Sequence, residues 1–266
     1  MLDKFNREIT YLRVSVTDRC NLRCIYCMPE EGMKLLSHND ILTFEEIVKI
    51  VEVGVGLGIS KVRITGGEPL VRKGIVDLVS KIAQIDGIED LSMTTNGILL
   101  KQFAGDLKKA GLHRLNISLD TLDANKYSEI SRGGKLSEAL EGIMEAKRIG
   151  FSPIKINCVI WKNAQEPDAL AVKEFCEKHG FFVRFIHQMN LNTGEFSVVE
   201  GGDGGNCVKC SRLRLTANGD LKPCLFNDVS FNVHEFGIEE AYKLAIEKKP
   251  KCGTYNNTGE FYNIGG

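Results

Sequence analysis

Strand-like and helix-like segments alternate from residue 11 to about residue 187, and this alternation constrains the fold more than any other feature of the chain. Tyr11-Leu12-Arg13-Val14-Ser15-Val16 and Lys61-Val62-Arg63-Ile64-Thr65 read as strands. Four more are expected at Asp90–Thr94, His113–Ser118, Lys155–Ile160 and Phe182–Ile186. Thr43 and Glu46 form a capping box ahead of the apolar positions Ile47, Ile50, Val51 and Leu57. Further helices are expected over 74–84, 100–110, 123–130, 136–149 and 166–179. Alternating βα units imply a parallel sheet with helical crossovers. About six of them predict an α/β fold, an incomplete (β/α)6 TIM-type barrel, in which chemistry sits at the C-terminal ends of the strands.

The pattern changes after residue 190. Gly194, Gly201, Gly202, Gly204 and Gly205 among polar neighbours read as a flexible linker. Arg212–Thr216 and Leu221–Leu225 then flank Asn218-Gly219, a hairpin signal, and a helix is expected over 237–248. The expected organisation is a partial barrel over 1–190, a glycine-containing linker over 191–206, and a small C-terminal domain with a tail over 207–266.

Cysteine is the unusual residue. There are nine, an odd number that argues against a closed disulfide framework. The first residues mix acids and bases without an apolar stretch, and no run approaches the length of a membrane span. A cytoplasmic, reducing location is expected, where clustered thiols mean metal or redox chemistry. The formal net charge of −1 gives no field to recruit nucleic acid or an anionic membrane, so neither is an expected partner.

Six of the nine cysteines form two triads. Cys20-x3-Cys24-x2-Cys27 lies in a loop just after the first strand, and Cys207-x2-Cys210-x13-Cys224 brackets the hairpin. Thiolates select zinc, copper(I) or iron–sulfur. A structural zinc site wants a fourth ligand, which the first triad lacks nearby. For the second, a zinc ribbon competes evenly on spacing alone, with Cys252 as its fourth ligand. Cys158 and Cys176 fall on an expected strand and helix and read as core residues, and Cys252 as an ordinary tail thiol.

The first triad, with Tyr26 before its last cysteine, resembles the radical S-adenosylmethionine (SAM) superfamily, as does Gly66-Gly67-Glu68-Pro69 after the second strand. Thr94-Thr95-Asn96-Gly97 and Ser118-Leu119-Asp120 follow the third and fourth strands. The resemblance implies a [4Fe–4S] cluster on Cys20, Cys24 and Cys27. It implies SAM on the open iron, held by Tyr26, Gly66, Gly67, Glu68, Thr95, Asn96 and Ser118.

Within the superfamily, three further segments resemble the molybdenum cofactor biosynthesis protein A family, the GTP 3′,8-cyclases. They are the run from Leu12 to Cys20, Arg63-Ile64-Thr65-Gly66-Gly67-Glu68-Pro69-Leu70, and Cys210 to Gly219 with Lys222-Pro223-Cys224-Leu225. The closing Ile264-Gly265-Gly266 is similar to that family's tail, which reaches into the active site. The resemblance implies a second [4Fe–4S] cluster on Cys207, Cys210 and Cys224 that binds guanine. It implies triphosphate and ribose contacts from Arg13, Lys61, Arg63, Lys155, Arg184, Arg212 and Arg214, and a catalytic set of Arg13, Gly265 and Gly266. It also implies an electron donor such as a flavodoxin or ferredoxin, and a homodimer as a state to consider. Charges on barrel strands agree with it, because they are costly unless paired or bound to an anion. The chain departs from the family in two places: the link between Arg184 and Cys207 is short, and His187 replaces a usual acidic residue. Two other readings compete. One is a related two-cluster enzyme acting on another nucleotide or a peptide; the other is a non-catalytic zinc-binding protein.

Overall fold

The computed structural model describes residues 1–190 and 192–257. Five βα units and a sixth strand run in chain order: β1 (Tyr11–Ser15), α1 (Phe44–Gly56), β2 (Lys61–Thr65), α2 (Ile75–Ala83), β3 (Asp90–Thr95), α3 (Leu100–Lys109) and β4 (Arg114–Ser118) come first. They are followed by α4 (Ala124–Ser131), α5 (Leu136–Arg148), β5 (Ile154–Ile160), α6 (Pro167–His179) and β6 (Phe182–His187). The C-terminal part adds β7 (Arg212–Leu215), β8 (Asp220–Lys222), β9 (Phe231–Asn232), α7 (Val233–Phe236) and α8 (Ile238–Glu247). The capping box is formed: Glu46 N–H donates to Thr43 Oγ1 at 3.2 Å and Thr43 N–H to Glu46 Oε2 at 2.6 Å. Gly58, Gly111, Gly150 and Gly180 close their helices with positive φ, a conformation other residues adopt only with strain.

The sheet order is β6-β5-β4-β3-β2-β1-β7-β8-β9. The first six strands are parallel neighbours in sequence order, the arrangement of a partial barrel. The hairpin continues this sheet, with β7 parallel to β1 and β8 turning back on β7. Pro223 ends β8 three residues short of the expected Leu225, because proline has no N–H for the ladder. At the helix layer α8 docks on α1. Tyr242 is fully buried and donates its hydroxyl to Ile50 O at 3.1 Å. Only a glycine admits it, since a Cβ on Gly54 would lie 2.5 Å from the Tyr242 hydroxyl.

Alternation along the strands divides the sheet into two chemistries. One face carries Leu12, Val14, Val62, Ile64, Leu91, Met93, Leu115, Ile117 and Ile156, all fully buried under the helices. The other carries Arg13, Arg63, Ser92, Asn116, Lys155, Arg184 and Arg214. Parallel strands are usually apolar on both faces, so the polar inner face marks a site.

The glycine-rich stretch is not a free tether. Phe185 and Glu200 exchange two backbone hydrogen bonds of 3.0 Å, which lays the stretch along the outer edge of β6. Its glycines are imposed by close passage: a Cβ on Gly201 would meet Val183 O at 2.7 Å, and one on Gly205 would meet Ser197 O at 2.1 Å. Among the described residues no helix is long and apolar enough to cross a membrane.

Candidate active site

The loop of the first triad leaves β1 at the C-terminal edge of the sheet and is fastened on two sides. From β2, Gly67 N–H donates to Thr17 O and Glu68 N–H to Arg19 O, each at 2.8 Å. Glycine is needed here because a Cβ on Gly67 would lie 2.3 Å from Arg19 O. The Gly-Gly turn therefore seats the cysteine loop itself. From α4, Arg23 N–H reaches Ser131 O and Ile25 N–H reaches Ile130 O, while Arg132 donates to Met28 O at 2.9 Å.

Glu68 connects this loop to β3. Its buried carboxylate accepts from Asn96 N–H (2.7 Å), Thr95 Oγ1 (2.8 Å) and Leu70 N–H (3.1 Å). Burial nevertheless raises its pKa to about 7. The Asn96 side chain in turn donates to Cys20 Sγ at 3.8 Å, and Leu22 N–H to the same sulfur at 3.4 Å. Tyr26 donates its hydroxyl to Asp120 Oδ2 at 2.7 Å, and Asp120 Oδ1 accepts Val159 N–H. Ser118 ends β4 opposite Asn157. Strand parity puts Thr94 on the inner face, and its buried hydroxyl has no hydrogen-bond partner among the described residues. Sequence reasoning chose Thr95, whose hydroxyl is committed to Glu68.

Burial pushes the thiols up, Cys20 to about 11 and Cys24 and Cys27 to about 12; the Glu68 charge adds to this at Cys20, and neighbouring thiolates add to it at Cys24 and Cys27. Three mutually repelling thiolates suit a polynuclear iron site whose positive charge offsets them. N–H groups aimed at Cys20 Sγ suit it as well. Among the described residues no three His, Cys, Asp or Glu side chains converge closely enough to hold a single metal ion.

The second triad lies at the other edge of the sheet. Cys207 and Cys210 precede β7, and the β7–β8 register brings Cys224 level with Arg212. The expectation that all the chemistry gathers at the C-terminal strand ends is corrected here, because β7 runs parallel to β1 and enters from the N-terminal edge. Strands of five residues separate the two triads by roughly 16 Å. Lys249 is fully buried between β7 and β8, donating to Arg212 O and Pro223 O at 2.6 Å each. Burial alone would raise the Cys210 thiol, but the Lys249 ammonium and Arg212 bring it down to about 7.

A cavity of about 480 Å³ extends from this triad into the barrel, a size suited to a small-molecule ligand. All seven basic residues singled out in the sequence line it: Arg13, Lys61, Arg63, Lys155, Arg184, Arg212 and Arg214. So do Cys207, Cys210 and Cys224. Arg114 is an eighth inward cation, one that sequence reasoning missed. It forms a bidentate pair with Asp90, its diagonal neighbour across β3 and β4. Its parity with Asn116 and Ser118 was the available signal. Arg63 donates to Ser92 Oγ at 3.3 Å and stacks its guanidinium 5.3 Å from the Tyr11 ring. Arg184 donates to Asn116 Oδ1 at 3.3 Å.

The cluster of charge is strained. Burial and then the nearby Arg214 push the Arg13 guanidinium down. Burial and then Arg212 bring Arg214 to about 10. Burial followed by Arg184, Arg114 and Arg63 brings Lys155 to about 8. Four cavity-facing polar atoms lack a hydrogen-bond partner among the described residues: Tyr11 OH, Arg114 Nη1, Asn157 Oδ1 and Arg184 Nε. A bound polyanion would relieve the repulsion and satisfy the donors.

The departures also find their places. Ile186 lines the cavity, whereas His187 pairs with Glu200 of the glycine-rich stretch at 3.4 Å. Cys252 is not an isolated tail thiol as expected: its sulfur is 3.0 Å from Cys207 Sγ. Cys158 and Cys176 are core residues. Gly265 and Gly266 lie outside the described residues.

A family profile described as the radical SAM superfamily matches residues 14–176. A GTP 3′,8-cyclase of Thermodesulfovibrio yellowstonii is 44% identical, over 88% of this chain and 87% of that protein. One of Petrotoga mobilis is 41% identical over 94% of each. The first alignment runs over 279 positions, more than that share of 266 residues fills, so the relative carries residues this chain lacks. Among solved structures, Streptococcus suis SuiB bound to S-adenosylmethionine superposes with a TM-score of 0.67 at 18% identity. That match covers 92% of this chain and 66% of SuiB. Methylornithine synthase gives 0.56 at 17% identity, over 69% and 54%. The chain thus spans about two thirds of SuiB and about half of the synthase, and these likenesses concern the fold alone.

Proposed function

We infer the function of this chain from the family it belongs to: it is a member of the radical SAM superfamily and, within it, of the GTP 3′,8-cyclases. It is a radical SAM enzyme that uses SAM and [4Fe–4S] clusters. The reaction is conversion of GTP to 3′,8-cyclo-7,8-dihydroguanosine 5′-triphosphate, a step of molybdenum cofactor biosynthesis. The single observation that carries this reading is the convergence of seven sequence-predicted cations and three cysteines on one cavity.

When bound, SAM and a reduced cluster would supply a 5′-deoxyadenosyl radical as the agent for taking hydrogen from ribose C3′. The chain's own part is to bind, orient and exclude water. Cys20, Cys24 and Cys27 would hold the first cluster, and Cys207, Cys210 and Cys224 the second. Glu68 would accept from the amino group of SAM, with Tyr26, Gly66, Gly67, Thr95, Asn96 and Ser118 around it. Lys61, Arg63, Lys155, Arg184, Arg212 and Arg214 hold the triphosphate and ribose by charge-assisted forks. Arg13, with Gly265 and Gly266, completes the catalytic set. Strands of five residues keep the radical source at one edge and the purine end at the other, so the ribose lies between them. A flavodoxin- or ferredoxin-type donor, a homodimeric state and a cytoplasmic location complete the proposal.

Anaerobic incubation with SAM, a reductant and GTP tests it. The expected products by mass spectrometry are 5′-deoxyadenosine and the cyclised nucleotide; SAM cleavage without cyclisation rejects GTP as substrate.

A further inference from the structure

Cys252 belongs to neither triad, and 45 residues separate it from Cys207, yet the two sulfurs are 3.0 Å apart. That is inside the van der Waals contact of two sulfur atoms. The approach is held by structure on both sides. The Arg7 guanidinium donates to Cys207 O at 2.8 Å, to Lys251 O at 3.0 Å and to Pro250 O at 2.7 Å. It therefore clamps the two turns together. Arg7 is itself buried and paired with Asp3 at 2.7 Å. Beyond Cys252, Thr254 N–H donates to Phe226 O and the Asn256 side chain to Leu225 O, both at 2.9 Å. Cys252 is exposed and Cys207 lines the cavity, so a small oxidant reaches the pair. Two cluster ligands on separate irons stand farther apart than this, so the arrangement is not that of a four-thiolate cluster.

We propose that Cys207 and Cys252 form a reversible disulfide that competes with loading of the second cluster. Formation takes a small-molecule disulfide as oxidant. One protein thiolate attacks a sulfur of the oxidant, releasing one small thiol and leaving a mixed disulfide. The other protein thiolate displaces the remaining half as a second thiol. Two electrons and two protons pass from the protein pair to the oxidant, and an external dithiol reverses both steps. The disulfide removes the Cys207 thiolate, and two thiolates are left for a cluster that needs three. This competition rests on the second triad being a cluster site; the disulfide itself does not.

The test uses the full chain, freed of metal and treated with oxidised glutathione before alkylation of free thiols. Peptide mapping by mass spectrometry is expected to find residues 207 and 252 joined, two hydrogens lighter than the free pair. A dominant 207–210 link, or both cysteines alkylated, overturns the proposal. Reconstitution with iron and sulfide without added reductant then reads the competition. Oxidised wild type is expected to take up about four iron per chain and reduced wild type about eight. Cys252→Ser is expected to load about eight after either treatment. Equal loading of oxidised wild type and Cys252→Ser, with the link present, overturns the competition. A second triad that takes no iron in any state refutes the cluster reading and leaves the disulfide standing.

Discussion

Arg13 on β1 and Arg214 on β7 are register partners, two buried guanidiniums side by side on the inner face of the sheet. Like charges in that position destabilise the empty chain, and Arg13 is held below its ordinary pKa partly by Arg214. An anion between them turns the cost into affinity. Arg214→Met keeps the bulk and removes one charge. Its thermal midpoint without ligand is expected to hold or rise, while GTP affinity by calorimetry falls roughly ten- to a hundredfold. A lower midpoint with unchanged affinity contradicts this role.

Lys155 gives the cavity a pH signature. Its folded pKa is about 8 and its ordinary value 10.5, so between those limits the unfolded chain holds a proton that the folded chain has released. Its contribution to stability therefore rises with pH through that window. In the proposed site triphosphate binding needs the ammonium, so affinity is expected to fall above about pH 8 and binding to take up protons there. Calorimetry in buffers of different ionisation enthalpy measures the uptake. Lys155→Met removes this contribution, and undiminished uptake in that variant would sink the assignment.

Gly67 tests how the first triad is seated. With a Cβ only 2.3 Å from Arg19 O, Gly67→Ala must push the cysteine loop away from β2. The expected cost is about 1–3 kcal/mol of stability, together with loss of iron from the first triad while the second still loads. Denaturant titration and iron analysis of the triple variant Cys207→Ser/Cys210→Ser/Cys224→Ser, with and without Gly67→Ala, isolate the effect. Unchanged iron there means the loop is held otherwise.

The six strands and the helices between them were legible because each leaves a local mark: a period-2 run, a 3.6 period, a cap such as Thr43 or a terminal glycine such as Gly150. The cavity cations were legible because the family resemblance named them and because a charge on a barrel strand demands an explanation. Arg114 escaped because its partner Asp90 sits on another strand, and only the register brings them together. Thr94 and Thr95 look alike in sequence; a one-residue difference in parity sends one hydroxyl inward and the other to Glu68. The glycine-rich stretch looked like a tether because glycine carries no hydrophobic pattern. What required glycine was the passing backbone of residues 183 and 197, which no local pattern records.

The proposed reaction requires one cavity to present the ribose of GTP to the radical generated at the opposite edge of the sheet. GTP deuterated at C3′ tests it most directly, in an anaerobic single turnover with SAM and reductant. One deuterium is expected in the 5′-deoxyadenosine recovered, formed in step with the cyclised nucleotide. Unlabelled 5′-deoxyadenosine at the same yield would contradict it.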